Sequence, residues 1–395
     1  MDKIFSEANA LTDVLIPIFH HLHRFPELSF KEFETTRFIR EELKRLDLDI
    51  LDLGMETGVA ALLKGKHSNK LAALRADMDA VPVTEDEGHA VKSSVSGVAH
   101  LCGHDFHMTS LLGAAMLLKQ RQSLLKGDVL FIFQPAEEIT RGAQAMLDHG
   151  LWTKLPKPVD GLFALHASPH FPVGTVLSSR GYASASKTNF RIRLQGTTGH
   201  SGSPHEYRDV ISAANLIMNH LQQVVSRDNN PMSPLVLAVH TIHAGDNDYF
   251  VTDSLEMTGT IRAFDESLQR RTEQRVDEIV QHIAKLQGVA ASVDMLPEVP
   301  SQLNHEGLFE AANRACRRLF SQGKILDRPP AFLGAEDFAV FGQDVPSYFY
   351  WLGTNTLENG SELHHQPGFV VDTHAIPLGV SLLTLSVLEL LEESE

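Results

Sequence analysis

Two short apolar runs constrain the fold of this 395-residue chain more than any other feature. They are LAALRAD at 71–77 and DVLFIFQP at 128–135, and they alternate with segments that have the spacing of amphipathic helices, such as DVLIPIFHHLHR. A strand that is apolar on both faces needs cover on both sides, which helices provide. Up to about Tyr182, the sequence therefore predicts an α/β domain built on a helix-covered sheet.

The pattern changes at Lys187. Phe190, Ile192 and Leu194 alternate with polar residues, as expected for a strand with one exposed face. The order of elements that follows is β-α-β-β-α-β, which is typical of a ferredoxin-like α+β domain. We therefore predict that residues 184–297 form an inserted domain, and that residues 1–183 and 298–395 together form one discontinuous α/β domain with a mixed sheet.

Composition excludes several classes of partner. The chain has 34 Lys plus Arg against 50 Asp plus Glu, a net charge of −16, and no dense basic run, so neither nucleic acid nor an anionic membrane is expected as a partner. The start of the sequence is acidic where a signal peptide would be basic, and Cys102 and Cys316 suggest no disulfide framework, so we expect a cytoplasmic protein. No apolar run approaches the roughly 20 residues of a membrane span. The 21 histidines raise the question of metal binding.

The strongest local motif is Cys102-Gly103-His104, which precedes the apolar segment MTSLLGAAMLLKQ. Gly103 permits a turn that brings the thiolate of Cys102 and the imidazole of His104 onto one metal ion. A buried free cysteine beside helix-capping residues fits this segment equally well. A thiol nucleophile paired with a histidine is a third, less favoured alternative.

Two adjacent carboxylates, Glu137 and Glu138, follow the apolar strand and Pro135. They would repel each other unless a cation compensates their charge. In that case one carboxylate binds the metal and the other acts as general base. The alternative is a solvated pair at the start of the next helix, where the helix dipole favours acidic residues.

Single histidines near the ends of predicted strands add candidate ligands. His166 follows the apolar run GLFAL, and His365 lies in the segment LHHQPGF. Each of them alone is more often structural than a ligand. Together with Cys102, His104 and a glutamate, they supply the ligands that a metal site between a sheet and its loops requires.

Other polar residues receive supporting roles. Asp77 and Asp79 end a core strand on the same side and are predicted to orient ligand imidazoles. The Gly-rich segment 196–205 has no phosphate-binding motif, so we interpret it as a mobile loop that carries a polar group to a distant site. The first helix carries three histidines that we expect to pack or cap, namely His20, His21 and His23.

Seven motifs extend in order along nearly the whole chain. They are HRFPELS at 23–29, RADMD at 75–79, CGHD at 102–105, QPAEE at 134–138, GH and PH within 199–205, GTIR at 259–262 and GAEDF at 334–338. Together they resemble the N-acyl-amino-acid amidohydrolases of the aminoacylase and carboxypeptidase superfamily, in the branch of hippurate hydrolase and the plant auxin-conjugate hydrolases.

The resemblance implies a zinc-exopeptidase-like catalytic domain with two divalent metal ions, which are zinc, manganese, cobalt or nickel. The implied ligands are Cys102, His104, Glu138, His166 and His365, with His364 as the alternative to His365. Glu137 matches the general base. The implied reaction is hydrolysis of the amide bond of an N-acyl or N-aroyl amino acid. The alternatives are a dipeptidase or metabolite deacetylase of the same fold, and a non-catalytic amino-acid or peptide binder.

The inserted domain matches the lid and dimerisation domain of the family, which implies a homodimer or higher homo-oligomer. Four residues of this domain are candidates for substrate contacts: His200 or His205 for the developing oxyanion, and Arg262 or Arg208 for the α-carboxylate. The chain departs from the family at 139–141, where glycines are common, and at 249–253, where the family has an Asn. We expect these departures to alter the pocket rim and the substrate preference.

Overall fold

The computed structural model of the chain describes residues 2–66, 70–87, 89–246, 248–328, 330, 332–356 and 362–392. The chain divides into two compact units. Unit 1 comprises Met1–Ala183, Leu303–Pro330 and Asp337–Glu395, and unit 2 comprises Ser184–Gln302 and Ala331–Glu336. Residues 331–336 were expected in the α/β domain. The structure joins this segment to unit 2, where the backbone N–H of Ala185 donates to the carbonyl of Gly334 at 2.8 Å.

The strands and helices of the described residues alternate along the chain. The strands are β1 (Asp49–Leu51), β2 (Val59–Leu63), β3 (Lys70–Asp77), β4 (Gly127–Gln134), β5 (Gly161–Pro172), β6 (Val176–Leu177), β7 (Tyr182–Ser184), β8 (Ser186–Gln195), β9 (Leu235–Ala244), β10 (Ser254–Ala263), β11 (Ala290–Val299), β12 (Gln302–Leu303), β13 (Ile325–Leu326) and β14 (Ser347–Asn355). The helices are α1 (Lys3–Ala10), α2 (Thr12–Arg24), α3 (Phe33–Arg45), α4 (His104–Gln120), α5 (Gly142–Asp148), α6 (Val210–Gln223), α7 (Glu266–Gln287), α8 (Glu306–Leu319), α9 (Phe338–Phe341) and α10 (Ile376–Glu392).

Unit 1 contains a mixed sheet with the strand order β1-β2-β4-β3-β5-β14-β6-β13. Its central strands β4, β3, β5 and β14 are parallel neighbours, and β2 is antiparallel to β4. All eight residues of β4 are buried, as are all but the first residue of β3. Burial on both faces explains why these strands are almost entirely apolar. The predicted fold class, a helix-covered mixed sheet, is confirmed.

The helix α10 is one of the most buried elements of unit 1. The segment Thr373–Glu392 is long and apolar enough to cross a membrane, which corrects the expectation that no apolar run approaches that length. However, 83% of its most apolar window is buried inside the protein. The hydroxyls of Tyr350 on β14 and Ser386 on α10 lie 2.9 Å apart, which ties the helix to the sheet. By its packing, α10 is a core helix.

Unit 2 contains an antiparallel sheet with the strand order β11-β8-β10-β9. On β8, Phe190, Ile192 and Leu194 are buried in a core that α6 and α7 complete. The elements follow the predicted order β-α-β-β-α-β, and the arrangement is ferredoxin-like. In this order, β9 and β11 are the edges of the sheet.

The parallel strands of unit 1 bring several polar residues to one edge of the sheet. Asp77, the last residue of β3, lies in register with Gln134, the last residue of β4. The strand β5 continues beyond the ends of β3 and β4. His166 therefore lies inside β5, in register with Trp351, rather than near the end of the strand as expected. The loops that follow β3 and β4 carry the other candidate residues.

Candidate metal centre

The segment Cys102-Gly103-His104 makes the predicted turn. Gly103 has φ 87° and precedes the first residue of α4. A Cβ atom at this position would lie 2.8 Å from the Cβ of Ala167, so the close approach of β5 also requires glycine. As a result, Cys102 and His104 converge with Glu138, and one ligand atom from each of the three residues lies within 4.8 Å of the others.

The carboxylates of Glu137 and Glu138 lie on a tight loop after β4. Asp79 positions this loop, because its two carboxylate oxygens accept the backbone N–H groups of Glu137 and Glu138, each at 3.0 Å. A buried carboxylate oxygen of Glu32 accepts the N–H of Ala136 at 2.9 Å. Glu137 is only 6% exposed, so the alternative of a solvated pair at a helix start is wrong.

The C-terminal histidines take different places in the site. Nε2 of His365 lies 3.0 Å from Oε2 of Glu138, and the backbone N–H of His365 donates to the carbonyl of Leu101 at 2.8 Å. Nε2 of His364 instead donates to the carbonyl of Ala167 at 2.9 Å, so it faces β5. His365 is also a non-glycine residue with φ 65°, an uncommon backbone conformation.

The five predicted ligands form a connected cluster in unit 1. The Sγ atom of Cys102 lies 3.6 Å from Nε2 of His166. Nε2 of His104 lies 3.7 Å from Oε1 of Glu138 and 3.9 Å from Oε2 of Glu137. The structure therefore brings together Cys102, His104, Glu138, His166 and His365, with Glu137 beside them.

Several buried atoms of this cluster lack a well-formed hydrogen bond. Among the described residues, Nε2 of His104 and Oε1 of Glu138 have no hydrogen-bond partner, and Nδ1 of His104 lies 3.4 Å from Oδ1 of Asp79. Burial, together with Glu138 and Glu137, raises the pKa of the Cys102 thiol well above its usual range. An unsatisfied buried polar group costs about 1–3 kcal/mol. A divalent cation would satisfy these groups together and stabilise the thiolate, so the residues present fit a metal ion.

The protonation of the histidines reflects the charges around them. Burial alone would lower the pKa of His104, but Asp77, Asp79 and Glu138 outweigh burial and raise it to about 10. For His166, burial and the neighbouring imidazoles hold the pKa well below its usual range, so its ring is neutral. A neutral imidazole is the form that binds a metal, and the carboxylates around His104 favour a cation at its side.

Two buried residues complete the site, and sequence reasoning missed both. Nδ1 of His107 donates to Asp77 at 2.6 Å, and its Nε2 accepts the backbone N–H of Ala167 at 2.8 Å. Both nitrogens are therefore used in linking α4 to β3 and β5, which leaves no lone pair for a metal. Arg75 is 1% exposed and forms ion pairs with Asp77 at 2.7 Å and Asp337 at 3.2 Å. His107 lies two residues after the CGHD motif, but its spacing did not distinguish this role.

The other predicted residues belong to unit 2. Nδ1 of His200 accepts the N–H of Gly202 at 3.0 Å, and the side chain of His205 is 80% exposed. Arg208 is exposed, whereas Arg262 is partly buried and donates to the carbonyl of Leu333 at 3.0 Å. Their predicted substrate contacts stay predictions.

A sequence profile described as peptidase family M20/M25/M40 matches residues 73–389. The chain belongs to this family. The N-acetylcysteine deacetylase of Bacillus subtilis (strain 168) is 39% identical to it over 363 residues, which cover 92% of this chain and 93% of the relative. The IAA-amino acid hydrolase ILR1-like 2 of Arabidopsis thaliana is 33% identical over 393 residues, which cover 98% of this chain and 88% of the relative.

A solved structure agrees with this assignment. The YXEP protein of Bacillus subtilis, described as a dinuclear metal-binding peptidase from the M20 family, is 35% identical to this chain and superposes with a TM-score of 0.84, covering 97% of this chain and 99% of that one. The resemblance inferred from the sequence motifs is therefore confirmed. As an M20 family member, the chain is a metal-dependent hydrolase of amide bonds with a binuclear metal site.

Proposed function

We propose that this enzyme hydrolyses the amide bond of N-acyl or N-aroyl amino acids and releases a carboxylate and a free amino acid. The observation that carries the proposal is the position of Glu137, a buried carboxylate that lies 3.9 Å from His104 and next in sequence to the candidate ligand Glu138. A protein that only binds amino acids has no use for such a base. The names of the two relatives, a deacetylase of N-acetylcysteine and a hydrolase of IAA-amino acids, support this substrate class.

The proposed ligands of the two metal ions are Cys102, His104, Glu138, His166 and His365. Bound divalent cations supply Lewis acidity, which makes water a nucleophile near neutral pH and polarises the amide carbonyl. The thiolate and imidazoles favour zinc, although such a mixed ligand set also accepts manganese, cobalt or nickel. His365 is preferred over His364 because its Nε2 faces Glu138 at 3.0 Å, whereas His364 bonds to the backbone of β5.

Glu137 is proposed to move the proton of the reaction. Its carboxylate accepts a proton from the attacking water as the new O–C bond forms, and then donates it to the amide nitrogen as the C–N bond breaks. Asp79 holds the backbone N–H groups of both Glu137 and Glu138, which fixes the base relative to the ligand. This preorganisation means that the base needs no rearrangement during the reaction.

For unit 2 we propose the role of a lid and dimerisation domain, with His200 or His205 contacting the oxyanion and Arg262 or Arg208 the substrate carboxylate. The edge strand β9 carries exposed apolar surface at Ile242, which is 43% exposed and suits pairing between two copies.

The described cysteines are both free and buried, which supports a reducing, cytoplasmic location.

A substrate panel tests the proposed reaction. The chelated protein is reloaded separately with zinc, manganese, cobalt or nickel and assayed against N-acetyl amino acids, N-benzoyl amino acids and dipeptides. We expect kcat/KM to be highest for an N-acyl or N-aroyl amino acid. A preference for dipeptides would instead identify a dipeptidase, and binding without turnover under every metal would identify a binder.

The role of unit 2 needs a separate experiment. Sedimentation velocity measures the oligomeric state, for which we expect a dimer or larger. If His200 acts in the partner's active site, a mixture of the inactive variants His200→Ala and Glu137→Gln regains activity after subunit exchange, since some mixed dimers have one intact site. No recovery in an exchanged mixture would exclude this arrangement for His200, and His205→Ala is then tested in the same way.

A further inference from the structure

A second group of potential metal ligands lies in unit 1 and shares no residue with the Cys102 cluster. It comprises His23 on α2 and Glu85 and His89 on the loop after β3. Oε2 of Glu85 lies 3.1 Å from Nε2 of His23 and 3.6 Å from Nδ1 of His89. The three side chains are only 5–10% exposed, so they are not solvated surface groups. The expectation that His23 has a packing or capping role is incomplete.

When each imidazole is neutral, its outer hydrogen bond leaves the inner nitrogen with a lone pair. Nδ1 of His23 lies 2.7 Å from Oδ2 of Asp105 and donates to that carboxylate. Nε2 of His89 lies 2.9 Å from the carbonyl oxygen of Pro367. Because a carbonyl oxygen can only accept a hydrogen bond, this nitrogen carries a proton. In the neutral form of each ring, the nitrogen that faces Glu85 is then the unprotonated one. Metal-binding histidines have this arrangement, in which the far nitrogen donates to a carboxylate or a backbone carbonyl.

The distances from Glu85 to the two inner nitrogens also fit an ion, and one ligand atom of each of the three residues lies within 4.8 Å of the others. Ligands at about 2.0–2.1 Å from a tetrahedral zinc ion are about 3.3–3.4 Å apart. The observed separations of 3.1 and 3.6 Å between Glu85 and the two imidazoles lie on either side of this value. Two imidazoles and one carboxylate suit zinc, cobalt or nickel.

A buried histidine beside the group independently indicates a ligand. A cavity of about 170 Å³ is lined by His23 and His89, and His100 lines the same cavity. His100 is 2% exposed, and among the residues that the structure describes neither of its ring nitrogens has a hydrogen-bond partner. A buried imidazole with no partner is costly. Water on an ion held by His23, Glu85 and His89 would lie in this cavity and supply a partner.

We propose that His23, Glu85 and His89 bind a divalent cation of the zinc class, at a site separate from the binuclear centre, with water in the cavity at the open position. The competing occupant is a proton on Nε2 of His23, donated to Glu85: burial would lower the pKa of His23, but Asp105 and Glu85 raise it to about 10, so a bound ion would displace this proton. Pro367 connects the site to the binuclear centre, because its carbonyl accepts both Nε2 of His89 and the backbone N–H of Asp86. Pro367 lies two residues after His365, so the cation would hold the segment that carries this proposed ligand.

Metal stoichiometry of the full chain tests the proposal. Wild type, His89→Gln and Glu85→Gln are loaded with zinc, passed through metal-free buffer and measured for bound ions per chain by elemental analysis. Each variant is expected to bind one ion fewer than wild type. The matched control is His282→Gln, which changes an exposed histidine on α7 and should leave the stoichiometry unchanged. Circular dichroism confirms that each variant is folded.

Cobalt spectroscopy separates the two sites. Cobalt bound by Cys102 shows thiolate charge-transfer absorption, whereas cobalt bound by imidazoles and a carboxylate shows only d–d bands. We expect His89→Gln to lose d–d intensity and keep the thiolate band, and Cys102→Ala to lose the thiolate band and keep the d–d bands of the His23 site. Equal ion counts in wild type and both variants would mean that a proton occupies the site, and the proposal would be wrong. Loss of the thiolate band in His89→Gln would also overturn it, because His89 would then act on the binuclear centre.

Discussion

Replacing Glu137 with Gln tests the assigned general base most directly. The substitution keeps the size of the side chain and the backbone bond to Asp79, but an amide cannot accept the proton of the attacking water. The nearby carboxylate of Asp337 is a poor substitute, because it already accepts bonds from Arg75 at 3.2 Å, Gln134 at 2.7 Å and the N–H of Ala143 at 3.0 Å. Glu137 is also 6% exposed, so bulk water cannot easily replace it.

These contacts place the expected loss at the upper end of the range for general acid–base catalysis, about 10³–10⁴-fold in kcat. This loss corresponds to an increase of about 4–5 kcal/mol in the activation barrier. The assay measures kcat and KM on the best substrate of the panel, together with bound metal. KM and the metal content should change little.

Glu138→Gln provides the matched control, because it changes the adjacent carboxylate, which we propose to be a ligand. This variant should lose bound metal along with activity. If Glu137→Gln retains full metal and its kcat is within tenfold of wild type, Glu137 is not the base.

Three other substitutions probe the surroundings of the site. Cys102→Ala should bind less metal by elemental analysis, and unchanged stoichiometry would exclude the thiolate as a ligand. Arg75→Met leaves Asp77 and Asp337 buried without their cation, so the free energy of unfolding in urea should fall by about 3–5 kcal/mol; a loss below 1 kcal/mol would contradict this. Burial and a neighbouring carboxylate raise the pKa of Glu32 from 4.5 to about 7, so the stability that its protonation provides is full below pH 4.5 and is lost as pH rises through 7. Relative to Glu32→Gln, metal-free wild type should therefore lose stability between pH 5 and pH 8, and parallel pH profiles would refute this.

The sequence predicted those parts of the site that depend on local order. The apolar runs at 71–77 and 128–135 became central strands, and the polar residues that follow them met at one edge of the sheet. Gly103 allowed the predicted turn because its requirement for a positive φ is a local property. In unit 2, alternation of polar and apolar residues was sufficient to predict β8.

Residues whose roles depend on distant partners were not predicted. Arg75 pairs with Asp337, which lies 262 positions later, and His23 pairs with Asp105, which lies 82 positions later. Neither pair has a spacing that a local pattern can reveal. The apolar run of α10 is a local pattern that the sequence shows, whereas its burial against α4 and α8 depends on elements that are distant in the chain.

The exposure of His365 has a consequence for how quickly the protein exchanges its metal. The side chain of His365 is 52% exposed, whereas the side chain of His104 is inaccessible to solvent and Glu138 is 10% exposed. A competing chelator therefore reaches the centre first at His365, on a surface segment whose backbone is already in an uncommon conformation. We expect the dissociation rate of the metal to depend on the opening of this segment, so substitutions around Pro367 should change the rate of metal release far more than the equilibrium affinity.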